Sequence, residues 1–390
     1  MKATVIIGAN FGDEGKGLVT DYFADRYKYL SHTINKPTVV RFSGGAQAAH
    51  TVQIDGKRTV FHHYGSGTAI GAPTFLGKEF IINPILFHKE RKTLDTGSVQ
   101  CHVESRVTTP YDMIHNTLLE TSRRGNKHGS CGIGINATVD RHEVVPFHAC
   151  HLTHPKKVKE ILADTYSYYK ELHKGTELAG LNALDDLRTK ADDMFIQDCL
   201  QFNNRVDLEY ENYLKYNDII FEGAQGLLLD EHHEWFPHVT RARTGLDNVI
   251  KMLADLPHIV EVDVVYVTRS YMTRHGAGPF PTEDTHMSFK DETNVHNEWQ
   301  GALRFGILDL DLMLESIQND FSKTTNSNVK FNKTLCITCL DQTPNVTVKY
   351  KGMEKTLRSN DFIQFVSIIW PGNLMTSHGP ERINIKTYEK

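Results

Sequence analysis

The sequence has 390 residues, of which 39% are hydrophobic and 23% are charged, and this composition is typical of a globular protein with a large core. A formal net charge of −5 argues against a protein that coats nucleic acid, because such a protein needs a basic surface. No stretch approaches the roughly 18 apolar residues of a membrane span, so we expect a cytoplasmic protein without a membrane partner.

Short runs rich in β-branched residues alternate with longer polar or helical stretches, which favours α/β over all-β architecture. We predict strands in residues 3–9, 37–43, 79–84, 217–224, 260–270 and 333–341. We predict helices in residues 16–27, 111–123, 156–173, 188–200 and 308–318. Residues 155–215 have the pattern of a mostly helical inserted subdomain. Because there is no internal repeat or linker, we interpret residues 1–390 as one large α/β domain with a central, mostly parallel sheet.

The stretch GANFGDEGKG, residues 8–17, follows the first predicted strand and is close to a phosphate-binding P-loop. A P-loop would have glycine in place of Asn10 and a hydroxyl residue after Lys16, where Gly17 stands. The hydroxyl that would hold magnesium is therefore missing. Asp13 can supply the metal ligand or act as a base, while N–H groups of the turn and the next helix offset the charge of phosphate.

Four more glycine-rich segments follow predicted strands or loops, namely residues 41–51, 129–136, 221–230 and 276–284. Gln47 and Gln225 offer side-chain amides, and Ser130 offers a hydroxyl donor. His50 is a candidate general acid or phosphate partner. Five such segments together predict a nucleotide site along the carboxyl edge of a sheet.

The motifs FGDEGKG, GGAQAAHT, FEGAQGLLLD, GAGPFPTE and TSHGP, in this order, resemble the adenylosuccinate synthetase family, and the similarity runs from residue 3 to about residue 384. The resemblance implies a ligase that forms a C–N bond. In that reaction a nucleoside triphosphate phosphorylates the 6-oxygen of a purine nucleotide, and the amino group of aspartate displaces the phosphate. The resemblance also implies Mg²⁺, that family's α/β fold and a homodimer.

The resemblance assigns roles to matching residues. Asp13 corresponds to the catalytic base that removes the purine N1 proton and also ligates Mg²⁺, with Ala49 as the other expected metal ligand. His50 corresponds to the general acid at the transferring phosphoryl group. The residues expected to bind the triphosphate are Gly12, Glu14, Gly15, Lys16, Gly17, Asp341, Ser377, Gly379 and Pro380. Those expected to bind the acceptor nucleotide or aspartate are Gln47, Ser130, Cys131, Arg141, Gln225, Thr240, Gln300, Leu303 and Arg304.

Several positions depart from the family pattern. The usual GGHNAGHT is GGAQAAHT here, which puts Gln47 in place of an asparagine that contacts the base. The arginine-rich aspartate loop is shortened to QGALRFGILD, residues 300–309, and leaves Arg304 as the partner of the aspartate carboxylate. Leu303 stands where the family has an arginine that contacts the ribose 2′-hydroxyl. An aliphatic side chain cannot donate that hydrogen bond, so the preference for ribose should weaken.

The site for the base of the triphosphate is also altered. The family reads guanine with TKLD, whereas this chain has TCLD, with Cys339 in place of the lysine. Asp341 remains as an acceptor for a guanine edge, but ATP or dATP becomes a credible donor beside GTP. These departures fit phage-encoded relatives that join aspartate to dGMP for 2-aminoadenine DNA, which would act in the host cytoplasm. Some phage members have serine at the base position, where this chain keeps Asp13.

Three functions therefore stand as alternatives. The first choice is a ligase acting on dGMP to give N6-succino-2-amino-2′-deoxyadenylate, and the second is an ordinary synthetase acting on IMP, aspartate and GTP. The third is a non-catalytic, P-loop-like GTP-binding module, against which Asp13 and His50 argue because binding needs neither a base nor an acid. The partners expected are small-molecule substrates and a second copy of the chain, whose nucleotide Arg141 is predicted to reach.

Overall fold

The computed structural model describes residues 1–30, 36–94, 97–123, 132–176, 178, 183–289, 291, 294 and 301–388. The strands are β1 (Lys2–Gly8), β2 (Thr38–Arg41), β3 (His50–Ile54), β4 (Lys57–Phe61), β5 (Thr74–Leu76), β6 (Val99–His102), β7 (Val206–Glu209), β8 (Ile219–Gly226), β9 (Glu261–Arg269), β10 (Met272–Arg274), β11 (Arg304–Gly306), β12 (Leu308–Asp309), β13 (Lys330–Thr338), β14 (Asn345–Tyr350), β15 (Met353–Arg358), β16 (Asn373–Ser377) and β17 (Ile385–Tyr388). The helices are α1 (Lys16–Leu30), α2 (Pro84–Arg91), α3 (Pro110–Ser122), α4 (Ile135–His142), α5 (Pro155–His173), α6 (Ala183–Asn203), α7 (Asp247–Ala254), α8 (Leu310–Ser322) and α9 (Ser359–Ile369). None of the helices in these ranges is long and apolar enough to cross a membrane.

One sheet of ten strands dominates the described structure, in the order β17-β16-β13-β9-β1-β8-β2-β5-β6-β7. All its neighbouring strands are parallel except β16 and β17, which are antiparallel. Crossovers of the βαβ type cover both faces, so the central strands bury side chains on both faces. In β1, Val5 and Ile7 pack into the core on one face while Ile6 packs against the α1 side. The predicted α/β fold with a mostly parallel central sheet is confirmed.

Most predicted elements are present with shifted ends, but the strand predicted at residues 79–84 is wrong. Ile81 and Ile82 make only single bridges, and α2 begins at Pro84. The Asn83 side chain accepts a hydrogen bond from the Leu86 N–H, and a proline after such a cap starts a helix. Residues 155–215 contain α5 and α6, and also β7, which pairs with β6 at the edge of the main sheet.

The strand order places the glycine-rich segments side by side. The parallel strands β16, β13, β9, β1, β8 and β2 are consecutive neighbours, so their carboxyl ends lie along one edge. The loops that leave this edge are those of the quoted motifs, beginning after Gly8, Arg41, Gly226, Arg269, Thr338 and Ser377. Ligands of open α/β sheets bind outside the carboxyl ends of the strands, so this edge is the candidate active site.

Candidate active site

The turn after β1 is built around the carboxylate of Glu14. Its Oε1 accepts hydrogen bonds from the N–H groups of Asn10 at 3.0 Å and Gly12 at 2.8 Å, and its Oε2 lies 3.2 Å from Lys16 Nζ. A Cβ at Gly8 would lie 2.4 Å from the Glu14 carboxylate, so only glycine leaves room for it. Glu14 therefore shapes the turn from inside and neutralises Lys16, rather than facing the position expected for the triphosphate.

Asp13 is the acidic residue that the turn presents. Its φ of 62° lies in the left-handed region, between Gly12 and Gly15, which also have positive φ. The Asp13 carbonyl accepts a hydrogen bond from Arg269 Nε at 2.5 Å, and its carboxylate lies 3.2 Å from His275 Nε2. The backbone is thus clamped in a conformation that few residues adopt, and the carboxylate is oriented by its contact with His275.

His50, the first residue of β3, is held by a buried carboxylate. Its Nδ1 lies 2.7 Å from Oε1 of Glu222 in β8. The Ser66 hydroxyl donates a hydrogen bond to the same Oε1, and the Ser66 N–H donates one to Glu222 Oε2 at 3.0 Å. Arg41 lies 3.8 Å from the same carboxylate. Burial lowers the pKa of His50 to about 4, although Glu222 acts in the opposite direction. The ring is therefore neutral at pH 7, with Nε2 left for a ligand.

Glu222 was missed as a functional residue, although its segment was noted for Gln225. The sequence contains a signal for it, because a carboxylate inside the apolar run IIFEGA must be buried, and a buried charge needs partners. The matching cation was also visible as Arg41 at the end of β2, a neighbour of β8 in the sheet. Sequence alone did not show which strands are adjacent.

Two amides stand together at the carboxyl ends of β2 and β8. A Cβ at Gly44 would lie 3.5 Å from Gln225 Oε1 and 3.6 Å from Gln47 Nε2, so the two side chains flank this glycine. Neither polar atom of Gln47, nor Gln225 Oε1, has a hydrogen-bond partner within the described residues, although all three atoms are buried. Buried, unpaired amides are costly, and these are therefore available to a polar ligand.

The loops after β13 and β16 meet at the other end of the edge. The Leu340 N–H donates to the Ser377 carbonyl at 3.3 Å, and the Ser377 hydroxyl donates to the Gly379 carbonyl at 2.7 Å. Asp341 and Pro380 are exposed beside them. The residues predicted to hold the base of the triphosphate are thus adjacent, next to the turn that contains Lys16.

Arg304 is engaged by its own chain. Its Nε donates to Glu283 Oε1 at 2.8 Å, its Nη2 donates to the other Glu283 oxygen, and its Nη1 donates to the carbonyls of Gly276 and Gly278. An aspartate substrate would have to replace Glu283 to pair with it. A second arginine, Arg274, has Nε and Nη1 buried without partners among the described residues. It is a further candidate for a substrate anion.

The prediction that Arg141 reaches a neighbouring subunit is wrong for this geometry. Its guanidinium is fully buried, with Nε and Nη2 donating to the Asp112 carboxylate at 3.2 and 2.9 Å. Its Nη2 also donates to the Val107 carbonyl at 2.7 Å, and its Nη1 to the Val145 carbonyl at 2.8 Å. With these donors used and no exposed surface, Arg141 ties α4 to α3.

The remaining predicted residues are less engaged. Thr240 is half-buried, and its N–H donates to the Leu229 carbonyl at 3.0 Å. Leu303 is buried, with 8% of its surface exposed, and Ala49 is exposed beside His50. Ser130, Cys131 and Gln300 lie outside the described residues.

Fold and site together define a nucleotide-binding α/β protein whose loops present a carboxylate and an imidazole at the carboxyl edge of a parallel sheet. The chain belongs to the adenylosuccinate synthetase family, whose model matches residues 5–360.

Curated relatives carry the same family name. The chain is 30% identical over 298 residues to an adenylosuccinate synthetase of Clostridium botulinum (strain Alaska E43 / Type E3), covering 73% of this chain and 66% of that protein. It is 31% identical over 300 residues to that of Trichodesmium erythraeum (strain IMS101), covering 73% of this chain and 64% of that protein. The matched part thus spans just under two thirds of these relatives' lengths.

Two solved structures share the fold over nearly the whole chain. Fully ligated adenylosuccinate synthetase from Plasmodium falciparum has a TM-score of 0.77 at 18% identity, covering 99% of this chain and 100% of that one. The succinoaminodeoxyadenylate synthetase of cyanophage S-2L, bound to dGMP and to dATP as an energy donor, has a TM-score of 0.62 at 15% identity, covering 100% of this chain and 96% of that one. At such identities the likeness concerns the fold alone.

Proposed function

We propose that this protein is a purine-nucleotide:L-aspartate ligase that uses a nucleoside triphosphate and Mg²⁺. The observation that carries the proposal is the pair of groups in the segments that follow β1 and β2. Asp13 is directed by a strained, clamped turn, and His50 is directed by Glu222. Family membership supports the same reaction.

Asp13 would remove the N1 proton of a 6-oxopurine, so that the purine O6 can attack the terminal phosphorus of the triphosphate. The bond from that phosphorus to the bridging oxygen breaks, and the nucleoside diphosphate leaves. The aspartate amine then attacks purine C6 and displaces inorganic phosphate. Such phosphoryl transfer depends on positioning and charge stabilisation more than on covalent help from the protein.

His50 would contact the transferring phosphoryl group through Nε2. With Nδ1–H directed at Glu222, Nε2 can donate a hydrogen bond only when the ring is protonated. The negative charge of a bound triphosphate favours that protonation, which the free protein disfavours through burial. Glu222 stabilises the resulting imidazolium.

The Asp13 carboxylate and the carbonyl of Ala49, an exposed residue, would hold Mg²⁺. Both are oxygen ligands, and Mg²⁺ takes few protein ligands and completes its shell with phosphates and water. Within the described residues no group of three or more His, Cys, Asp or Glu side chains is placed to hold a metal ion, so the site proposed here has only these two protein ligands. Bound Mg²⁺ would neutralise phosphate charge.

We propose dGMP as the acceptor. Leu303 is apolar and buried at the position where the family contacts the 2′-hydroxyl, so its side chain makes no hydrogen bond that would favour ribose over deoxyribose. The phage neighbour of the same fold is described as binding dGMP. The second candidate acceptor is IMP, and it is supported by Asp13, the ordinary-family residue, and by the names of the curated relatives.

For the donor we propose ATP or dATP, with GTP as the alternative. Cys339 replaces the family's lysine and has a φ of 60°. It therefore offers no cation to a guanine O6. Asp341 is exposed and remains able to accept hydrogen bonds from a guanine edge.

One assay separates the candidate functions. The purified protein is incubated with aspartate, Mg²⁺ and each pairing of IMP, GMP or dGMP with GTP, ATP or dATP, and phosphate and the succinylated nucleotide are measured. We expect product with dGMP and an adenine donor. Product with IMP alone would identify an ordinary synthetase, and binding without product in every pairing would identify a non-catalytic module.

Sedimentation of the same sample tests the homodimer that we also propose.

Leu303 gives a direct test of sugar selection. We expect Leu303→Arg to raise the ratio of kcat/KM for GMP over dGMP by about tenfold, because the new guanidinium can donate to the 2′-hydroxyl. Leu303→Met, which keeps an apolar side chain of similar volume, is the control and should keep the wild-type ratio. An unchanged ratio in Leu303→Arg would show that this residue does not face the sugar.

A further inference from the structure

His275 is the side chain that contacts the Asp13 carboxylate. Its Nε2 lies 3.2 Å from Asp13 Oδ2 and 3.1 Å from Asn294 Oδ1. The Asn294 amide has a defined orientation, because its Nδ2 donates to Asp291 Oδ2 at 2.9 Å and a carboxylate can only accept. The amide oxygen therefore faces His275, and Nε2 of that ring is surrounded by two acceptors.

Two acceptors around one ring nitrogen identify the tautomer. Nε2 of His275 carries the hydrogen, and in the neutral ring Nδ1 is a bare acceptor. Nδ1 is buried and has no hydrogen-bond partner within the described residues. A buried acceptor without a donor is energetically costly, so we expect a ligand to donate a hydrogen bond to Nδ1.

The ring is held from behind by a short network. Arg269 donates through Nε to the Asp13 carbonyl and through Nη2 to Asp291 Oδ2 at 3.0 Å. Asp291 in turn accepts the N–H of Asn294 at 3.0 Å, and Asn294 contacts His275. The direction of the imidazole is thus tied to the same arginine that clamps the turn of Asp13, and a site held in this way can discriminate between ligands.

We propose that His275 selects the acceptor nucleotide by accepting a hydrogen bond from the amino group at purine position 2. This inference rests on the proposed function, which puts the purine N1–H at Asp13. Position 2 is next to N1, and it carries an amino donor in guanine but only a C–H in hypoxanthine. His275 Nδ1 accepts a hydrogen bond from the 2-amino group of guanine, and it stays unpaired when hypoxanthine is bound. The N–H at Nε2 of the same ring donates to one carboxylate oxygen of Asp13, which leaves the other oxygen for the purine N1–H.

Two variants separate the nitrogens of this ring. In His275→Gln an amide nitrogen can reach the position of Nε2, and in His275→Asn a side-chain oxygen can reach that of Nδ1. The acceptors are dGMP and dIMP, which differ only in the 2-amino group. We expect wild-type protein to favour dGMP and His275→Gln to lower the ratio of kcat/KM for dGMP over dIMP about tenfold. His275→Asn should lower kcat with both acceptors, but it should lower the ratio of kcat/KM for dGMP over dIMP less than His275→Gln does.

His154→Gln is the matched control, because His154 is exposed at the start of α5, and it should keep the wild-type ratio. A wild-type ratio that does not favour dGMP, or an unchanged ratio in His275→Gln, overturns the role of His275. If wild-type protein makes no product from any acceptor, the proposed function fails instead. Equilibrium titration with dGMP and dIMP then still tests the contact, since His275→Gln must lose a preference for dGMP that the wild type has.

Discussion

Asp13→Asn is expected to lower kcat by about 10²- to 10⁴-fold with every acceptor and donor, which is the usual contribution of a positioned general base. Asparagine has the same shape and tolerates the positive φ of 62° at this position. Its amide can still contact His275, so the turn should persist. However, the amide cannot take the N1 proton and is a weaker ligand for Mg²⁺. The measurements are kcat with dGMP and with IMP, and the thermal midpoint of unfolding.

Asp55→Asn is the matched control for this experiment. Asp55 also has a positive φ, of 50°, but it is exposed in the turn between β3 and β4. The same chemical change there should leave kcat unchanged. If Asp13→Asn turns over near the wild-type rate while both variants are folded, Asp13 is not the base and the proposed reaction needs another proton acceptor.

Several site residues could be predicted because their chemistry is local. Asp13, Lys16 and the glycines belong to one turn, and its departures from a P-loop pointed to a base or a metal ligand. The same reasoning did not show that the Glu14 carboxylate faces into the turn, where Gly8 and Gly226 leave space for it. Those glycines come from two different strands, and this packing is not visible in the motif.

Other residues depended on contacts distant in sequence. His275 and Asp13 are 262 positions apart in the sequence, and they meet only because β1 and β9 are neighbours in the sheet. Arg141 was misassigned by counting from a glycine motif, whereas burial beside Asp112 decides its role. The strand order that creates these neighbours follows from the crossovers, which the one-dimensional pattern of apolar residues does not encode.

The electrostatics of Glu222 give the protein a specific acid sensitivity. Burial acts to raise the pKa of Glu222, but His50, Arg41 and Ser66 lower it to about 2, from an ordinary value of 4.5. The stabilisation from this carboxylate is complete above pH 4.5 and is lost as pH falls towards 2. The pKa of His50, lowered from 6.5 to about 4, adds a separate loss of stability as pH falls from 6.5 to about 4, because only the unfolded state binds the proton in that window.

Glu222→Ala is therefore expected to lower the free energy of unfolding by about 3–5 kcal/mol at pH 7, because it leaves the buried Arg41 without its anion and His50 without its acceptor. Glu222→Gln keeps the shape but not the charge, so it should flatten the dependence of that free energy on pH between 4.5 and 2. Denaturant unfolding from pH 7 to 2 measures both effects.

Glu211→Ala supplies the control for a general loss of histidine–carboxylate contacts. Glu211 lies 2.9 Å from His102 Nε2, close to the 2.7 Å between Glu222 and His50, but at the far edge of the sheet and without an arginine partner in the described structure. It should destabilise the fold less and leave kcat unchanged, whereas Glu222→Gln should lower kcat because His50 loses the charge that stabilises its protonated form. Equal losses in the two alanine variants would contradict a special role for Glu222, since the burial of Arg41 beside it would then contribute nothing.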